Sequence, residues 1–144
     1  MKVSVTKKLV IDASVTLAWF FPDEATSYTD SLLDLLASGS EAVVPAIWPF
    51  EVTNALLTAE RRKRVTTAQL SGMLKRLTEL PISVEPIIVN RAFEQILSLA
   101  RAKLLTSYDA AYLELALRES LPLATLDEQL RKAARISGVS LMRS

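Results

Sequence analysis

Residues 9–14 read Leu9-Val10-Ile11-Asp12-Ala13-Ser14, and this segment decides how the chain folds. The apolar run at 9–11 predicts a short buried strand, and Asp12 and Ser14 can cap a short helix that runs to Trp19. The same alternation of strand and helix continues along the chain. We predict further strands at 42–44, 82–84, 122–124 and 139–142, and further helices over 22–39, 49–64, 66–80, 89–102, 107–118 and 127–137.

A helix lies in every predicted connection between strands. Because parallel strands need such crossovers, we expect a parallel sheet that is covered by helices on both faces. Ligands of such sheets bind beyond the carboxyl ends of the strands. The 144 residues suit one domain, so we assign residues 1–144 to a single unit.

The composition excludes several classes of chemistry. The chain has neither His nor Cys, which rules out His-dependent triads, zinc sites of His or Cys, thiolate nucleophiles and disulfides. Its three glycines cannot form a glycine-rich phosphate loop. No segment approaches the roughly 20 apolar residues of a membrane-spanning helix. We therefore expect a cytoplasmic protein that makes no contact with membranes and whose chemistry rests on carboxylates, hydroxyls, amides, Lys, Arg or Tyr.

Four carboxylates stand out from the sixteen acidic residues. Asp12, Asp109 and Asp127 each lie where a strand or loop passes into a predicted helix. An Asp at a helix start needs no further explanation than capping. Glu51 lies inside a predicted helix, so capping cannot explain it, and the alternative there is a side chain that extends to the rim.

Taken together, the four carboxylates indicate a cation site. If the first and fourth strands are neighbours, Asp12 and Asp127 meet, and Glu51 and Asp109 reach the same crevice. Carboxylates within a few ångströms repel one another and stay ionised only around a cation. A set of oxygen ligands without His favours Mg²⁺ or Mn²⁺, and Mg²⁺ with carboxylates points to phosphodiester chemistry.

Four segments carry a resemblance that spans almost the whole chain. They are Val10-Ile11-Asp12-Ala13-Ser14, Pro45 through Glu51-Val52-Thr53-Asn54-Ala55-Leu56, Ser107-Tyr108-Asp109-Ala110-Ala111-Tyr112-Leu113, and Leu123-Ala124-Thr125-Leu126-Asp127-Glu128-Gln129-Leu130. In order and spacing they resemble the PIN-domain nucleases, most closely the VapC-type toxins of toxin–antitoxin pairs.

The resemblance implies an α/β fold of three α/β/α layers around a short, mostly parallel sheet. It implies an endoribonuclease that uses Mg²⁺ or Mn²⁺, with Asp12, Glu51, Asp109 and Asp127 as catalytic residues and metal ligands. Carried over by position, Ser14 and Thr125 resemble hydroxyls that support the carboxylates, and Asn54 resembles a supporting amide. The implied partners are an RNA substrate, a cognate antitoxin protein and a second copy of the chain. The apolar helices at 66–80 and 94–102 favour such a homodimer.

Two surface segments are candidates for partner binding. The run Arg61-Arg62-Lys63-Arg64 could bind RNA phosphates, although cations at the end of a helix also complement its dipole. The segment Trp19-Phe20-Phe21 should place one or two rings in the core. A ring left outside would suit a groove for a partner helix.

One other functional class fits the acidic crevice, namely a signalling or scaffold domain of doubly wound type that binds Mg²⁺ without catalysis. A receiver-type domain would need paired acids after the first strand and a Lys late in the sheet. Asp12 has no acidic neighbour, and residues 123–126 contain no Lys. Both observations count against this alternative.

Overall fold

The structure is a computed structural model that describes residues 8–143. Its centre is a four-stranded sheet with the strand order β3-β2-β1-β4. The strands are β1 (Lys8–Ile11), β2 (Glu41–Val44), β3 (Ile82–Val84) and β4 (Leu123–Ala124). All three strand pairs are parallel, and Val10 lies opposite Val43 on one side and Leu123 on the other. The predicted parallel α/β sheet is confirmed.

Eight helices surround the sheet in the part of the chain that the structure describes. They are α1 (Ala13–Ala18), α2 (Ser27–Ala37), α3 (Trp48–Arg61), α4 (Thr67–Thr78), α5 (Val89–Arg91), α6 (Leu97–Lys103), α7 (Ser107–Glu119) and α8 (Glu128–Ile136). A π-helical turn at Ala92–Ile96 joins α5 to α6. Among residues 8–143, we find no helix with the length and apolar character needed to cross a membrane.

The core lies on both faces of the central strand β1. Leu9, Val10 and Ile11 have no exposed surface, which explains why this strand is apolar at consecutive positions and not at alternate ones. Helix α7 packs against β1, β4 and α8. It contributes Tyr112 and Leu113 to the core, and this packing fixes the position of α7 relative to the sheet.

Capping residues decide where α2 and α7 begin, and one of the two predicted starts is wrong. Helix α2 begins at Ser27 and not at residue 22, since Thr26 and Thr29 form a reciprocal capping box and residues 22–24 form a turn. Helix α7 begins at Ser107, as predicted, although its cap is Thr106 and not Ser107. The Thr106 hydroxyl accepts a hydrogen bond from the backbone N–H of Asp109 at 3.1 Å.

Two further predicted elements differ in the structure. The strand predicted at 139–142 is reduced to one bridge between Leu141 and Leu123, because β4 itself has only two residues and offers little edge to pair with. The helix predicted over 89–102 extends to Lys103 and is interrupted by the π-helical turn. There the N–H of Leu97 bonds to the carbonyl of Ala92, five residues earlier.

Candidate active site

The strand order brings two of the selected acids together. Asp12 directly follows β1, and Asp127 follows the neighbouring strand β4. The N–H of Asp12 continues the pairing of these strands by donating to the carbonyl of Ala124 at 3.2 Å. Residues more than a hundred positions apart therefore meet at the carboxyl edge of the sheet, where ligands of parallel sheets bind.

The Asp12 carboxylate is held on both oxygens. Its Oδ1 accepts from the Ser14 hydroxyl at 2.6 Å and from the Val15 N–H at 3.2 Å, and its Oδ2 accepts from the Thr125 hydroxyl. The residue is only 5% exposed. Burial raises the pKa of Asp12 above its ordinary value and Glu51 adds to the rise, while these three hydrogen bonds oppose it.

Ser14 and Thr125 also join the two strand ends to each other. The Ser14 hydroxyl accepts from the Leu126 N–H, and the Thr125 hydroxyl accepts from the Asp127 N–H, both at 3.0 Å. The structure therefore places both hydroxyls where they support the acidic side chains. The Asp127 carboxylate accepts from the Leu130 N–H at 2.8 Å and caps α8.

Glu51 lies in the first turn of α3 and is joined to α7 by Tyr112. The Tyr112 hydroxyl donates to Glu51 Oε1 over 2.6 Å. The sequence analysis assigned no role to Tyr112 and missed this contact. The available signal was its position on α7, three residues after Asp109, which puts the two side chains on one face of the helix. Burial, together with the Glu51 carboxylate, raises the pKa of Tyr112, so its hydroxyl remains a donor.

Asp109 shows that the four carboxylates share one environment. Because Thr106 caps α7, the half-buried Asp109 carboxylate has no capping role. Its pKa is raised to about 6, first by burial and then by the negative charges of Asp127, Asp12 and Glu51. The four acids are thus near enough for their negative charges to raise the pKa of Asp109.

The carboxylates are held by neutral donors. Hydroxyls and backbone N–H groups contact Asp12, Glu51 and Asp127, and across residues 8–143 none of the four acids has a Lys or Arg within ion-pair distance. Their negative charge is therefore not compensated by these residues. Such a charge cluster favours an external cation.

The arrangement fits a hard divalent ion in chemistry but does not enclose one. In the described part of the chain, no three acidic side chains lie close enough together to hold a metal ion directly. This is looser than the few ångströms expected from the sequence, because like charges repel and local hydrogen bonds hold Asp12 and Asp127 at their helix starts. Mg²⁺ commonly binds through one or two carboxylates and several waters, a mode that this oxygen-rich edge suits.

The remaining candidates are less closely tied to the crevice. Asn54 is exposed on α3, and no hydrogen bond joins its side chain to the other described residues. Arg61, Arg62 and Lys63 are exposed. Arg64 is already engaged: its guanidinium contacts Asp23 at 3.1 Å and Glu24 at 3.4 Å, and it lies 4.3 Å from the ring centre of Phe21.

The aromatic segment divides between core and surface. Phe21 is buried, and the Trp19 ring N–H donates to the Thr29 carbonyl at 2.8 Å. Trp19 and Phe20 both stay partly exposed. Phe20 and Phe21 line one side of an open groove whose other side is formed by α4 residues, among them Met73.

Comparison with known proteins gives a family match along most of the chain. The PIN domain family matches residues 9–136. Ribonuclease VapC3 of Pyrobaculum aerophilum is 30% identical over 123 residues, which cover 85% of this chain and 92% of that protein.

Three solved structures have a similar fold. PAE2754 from Pyrobaculum aerophilum has a TM-score of 0.68 and 24% identity, over 90% of this chain and 87% of that one. VapBC2 from Rickettsia felis, solved bound to a DNA fragment from their promoter, has a TM-score of 0.66 and 14% identity over 94% and 97% of the two chains. FitAcB from Neisseria gonorrhoeae has a TM-score of 0.64 and 18% identity over 94% and 96%.

At such identities the solved structures establish the fold alone. The family itself rests on the PIN-domain match, which spans the four acidic segments, and on the likeness to the Pyrobaculum ribonuclease. We conclude that this chain belongs to the PIN-domain family, among its VapC-type members.

Proposed function

We propose that this protein is a metal-dependent endoribonuclease and the toxin of a toxin–antitoxin pair. The observation that carries the proposal is a group of four carboxylates without a cationic partner among the described residues, three of them held by neutral donors. The Pyrobaculum relative of this chain is named a ribonuclease. Two of the solved structures with a similar fold are those of VapBC2 and FitAcB.

In this mechanism, Asp12 and Glu51 would hold the ion, with Asp109 and Asp127 at the rim of the same crevice. A bound Mg²⁺ or Mn²⁺ would lower the pKa of water and take up charge on the scissile phosphate. Asp109 or Asp127 orients the attacking water. Ser14, Thr125 and Tyr112 keep the carboxylates in place. Because an external water attacks in place of the ribose 2′-hydroxyl, the products carry 5′-phosphates.

We further propose that two copies of the chain associate through an apolar face formed by Phe50, Ile87, Ile88 and Tyr108. These residues line one cleft, and Phe50 and Ile87 are 71% and 70% exposed. Exposed apolar surface of this kind marks association sites. This face differs from the one expected from the sequence, which was formed by the helices at 66–80 and 94–102. The most exposed large apolar residues of those helices, Leu74 and Leu97, are less exposed than Phe50 and Ile87. The proposed face also adjoins Glu51 and Asp109, so a dimer would place two crevices near each other.

For the antitoxin we propose the groove beside Phe20. An amphipathic helix would cover the partly exposed Trp19 and Phe20. An Arg from the same partner would suit the acidic crevice, because a guanidinium pairs with two carboxylates and replaces the charge of the metal.

The experiment is cleavage of single-stranded RNA by the purified chain with Mn²⁺, with Mg²⁺ and with EDTA, followed by analysis of the 5′ ends. We expect cleavage with either metal, none with EDTA, and 5′-phosphate products. Asp12→Asn should be inactive although Asn caps a helix about as well as Asp. The matched control is Asp34→Asn, at an exposed acid of α2, which should cleave normally.

Two outcomes would contradict this proposal. Cleavage that persists in EDTA would remove the metal from the mechanism. Mn²⁺ binding without cleavage of any RNA tested would favour the non-catalytic, Mg²⁺-binding alternative.

A further inference from the structure

Tyr112 is a fixed point close to the acidic crevice. Its side chain is 1% exposed and belongs to the same core as the neighbouring Leu113. A ring packed in this way is held in one rotamer, because the interior is filled on all sides. The position of its hydroxyl is therefore set by the core and by α7.

Glu51 has no comparable support of its own. A glutamate side chain has three rotatable bonds, and fixing it costs conformational entropy. Across residues 8–143, its only side-chain hydrogen bond comes from Tyr112, over 2.6 Å to Oε1. The second oxygen, Oε2, is left without a hydrogen bond from these residues.

The chemistry of the donor suits a carboxylate that must keep its charge. A Lys or Arg in this place would orient Glu51 but would also neutralise it and compete with a cation. A phenol hydroxyl orients one oxygen and adds no charge. The contact also joins α3 to α7, the helix that carries Asp109 one turn earlier, so it relates the positions of two carboxylates that are distant in sequence.

We propose that Tyr112 is a positioning residue, whose hydroxyl holds Glu51 Oε1 so that the other oxygen faces the cation. This inference rests on the proposed metal-dependent function. Residues that orient metal ligands typically contribute about 10–100-fold to metal affinity or activity.

The first test compares Tyr112→Phe with the wild-type protein. Phe keeps the buried ring and removes only the donor. We expect Mn²⁺ affinity, measured by titration calorimetry, to fall about tenfold or more, and kcat to fall by about 10–100-fold with KM for RNA unchanged. Ser38→Ala is the control for loss of a hydroxyl donor, because the exposed Ser38 hydroxyl donates only to the Asp34 carbonyl at the end of α2. It should retain wild-type Mn²⁺ affinity.

A double-mutant comparison separates positioning from a general structural role. If Tyr112 acts through Glu51, adding Tyr112→Phe to Glu51→Gln should cause little further loss of Mn²⁺ affinity. An equal loss in both backgrounds would overturn the inference. Unchanged Mn²⁺ affinity and kcat in Tyr112→Phe would overturn it as well.

A second measurement leaves the chain intact, in case Tyr112→Phe does not fold. The chain has three tyrosines, so fluorotyrosine labelling gives a simple ¹⁹F spectrum. Addition of Mg²⁺ should shift the Tyr112 signal, and Glu51→Gln should abolish the shift. A Tyr112 signal that is insensitive to Mg²⁺, in a protein that binds Mg²⁺ and cleaves RNA, would overturn the inference about Tyr112 but not the proposed function. A wild-type chain that neither binds metal nor cleaves RNA would overturn the proposed function and the inference with it.

Discussion

Replacing Asp109 by Asn should stabilise the metal-free protein at neutral pH while it abolishes cleavage. The Asp109 carboxylate has a pKa of about 6, against an ordinary value of 3.8, because burial and three neighbouring carboxylates disfavour its charged form. Asn has almost the same shape and cannot ionise. The substitution also leaves the cap of α7 intact, since Thr106 provides that cap.

The size of the effect follows from the two pKa values. A difference of about two units corresponds to roughly 3 kcal/mol at 1.36 kcal/mol per unit. Asp109 is only half-buried, so solvent screening lowers the expected gain to about 1–2 kcal/mol. In a domain of this size that is a rise in melting temperature of roughly 3–6 °C.

The pH dependence has a definite sign. Between pH 3.8 and about 6, the folded wild-type protein binds a proton that the unfolded chain has lost, so its stability falls as the pH rises through this window. Below that window Asp109 is protonated in both states and its replacement gains nothing. The stability difference between Asp109→Asn and wild type should therefore be near zero at pH 3.5 and reach its maximum above pH 6.5.

The assay is thermal or urea unfolding of both proteins in EDTA across this pH range, beside an RNA-cleavage assay. Mn²⁺ at a hundredfold excess over its Kd should stabilise the wild type by about 2.7 kcal/mol and Asp109→Asn by much less. Asp34→Asn serves as the control and should follow the wild type. If Asp109→Asn is less stable than wild type at pH 7.5, or responds equally to Mn²⁺, the reasoning about a shared acidic crevice is wrong.

Three further predictions concern the surfaces. Ile87→Lys should convert the proposed homodimer to a monomer in light scattering, because it places a charge in the apolar face. Ile136→Lys, at an exposed residue of α8, should leave the dimer intact. A wild-type monomer at micromolar concentration would contradict the dimer. Phe20→Asp should weaken antitoxin binding by about tenfold or more without loss of cleavage, and an unchanged affinity would argue against the groove. Arg62→Ala should lower RNA affinity and reduce the slope of log affinity against log salt concentration by about 0.7. Arg64→Ala should change both quantities less, because its guanidinium is already paired with Asp23 and Glu24. Equal effects of the two substitutions would contradict this prediction.

Much of the fold follows from local pattern. The apolar run at 9–11 and the helix in every connection are enough to predict a parallel sheet, since few other arrangements bury such strands on both faces. The same reading placed Asp12 and Asp127 at helix starts after strands. The errors lie at element ends, as at residue 22 and in the strand at 139–142, where capping partners and the length of the neighbouring strand decide the outcome.

The candidate site was likewise predictable only in part from the sequence. The absence of His and Cys already restricts the chemistry to oxygen ligands, and that conclusion needs no coordinates. The spacing also singled out the four acids as a group. Sequence reasoning could not assign Tyr112 to Glu51 or remove Arg64 from the free basic run, because each contact joins residues at least forty positions apart.

Local pattern thus predicts the class of fold and the side-chain types available to a site, because periodicity and residue type act locally. The strand order β3-β2-β1-β4 belongs to the tertiary structure. That order puts Thr125 against Asp12, and the packing of α7 puts Tyr112 against Glu51. Only the tertiary structure decides which donor holds each carboxylate, because these contacts depend on how distant segments pack and not on their own patterns.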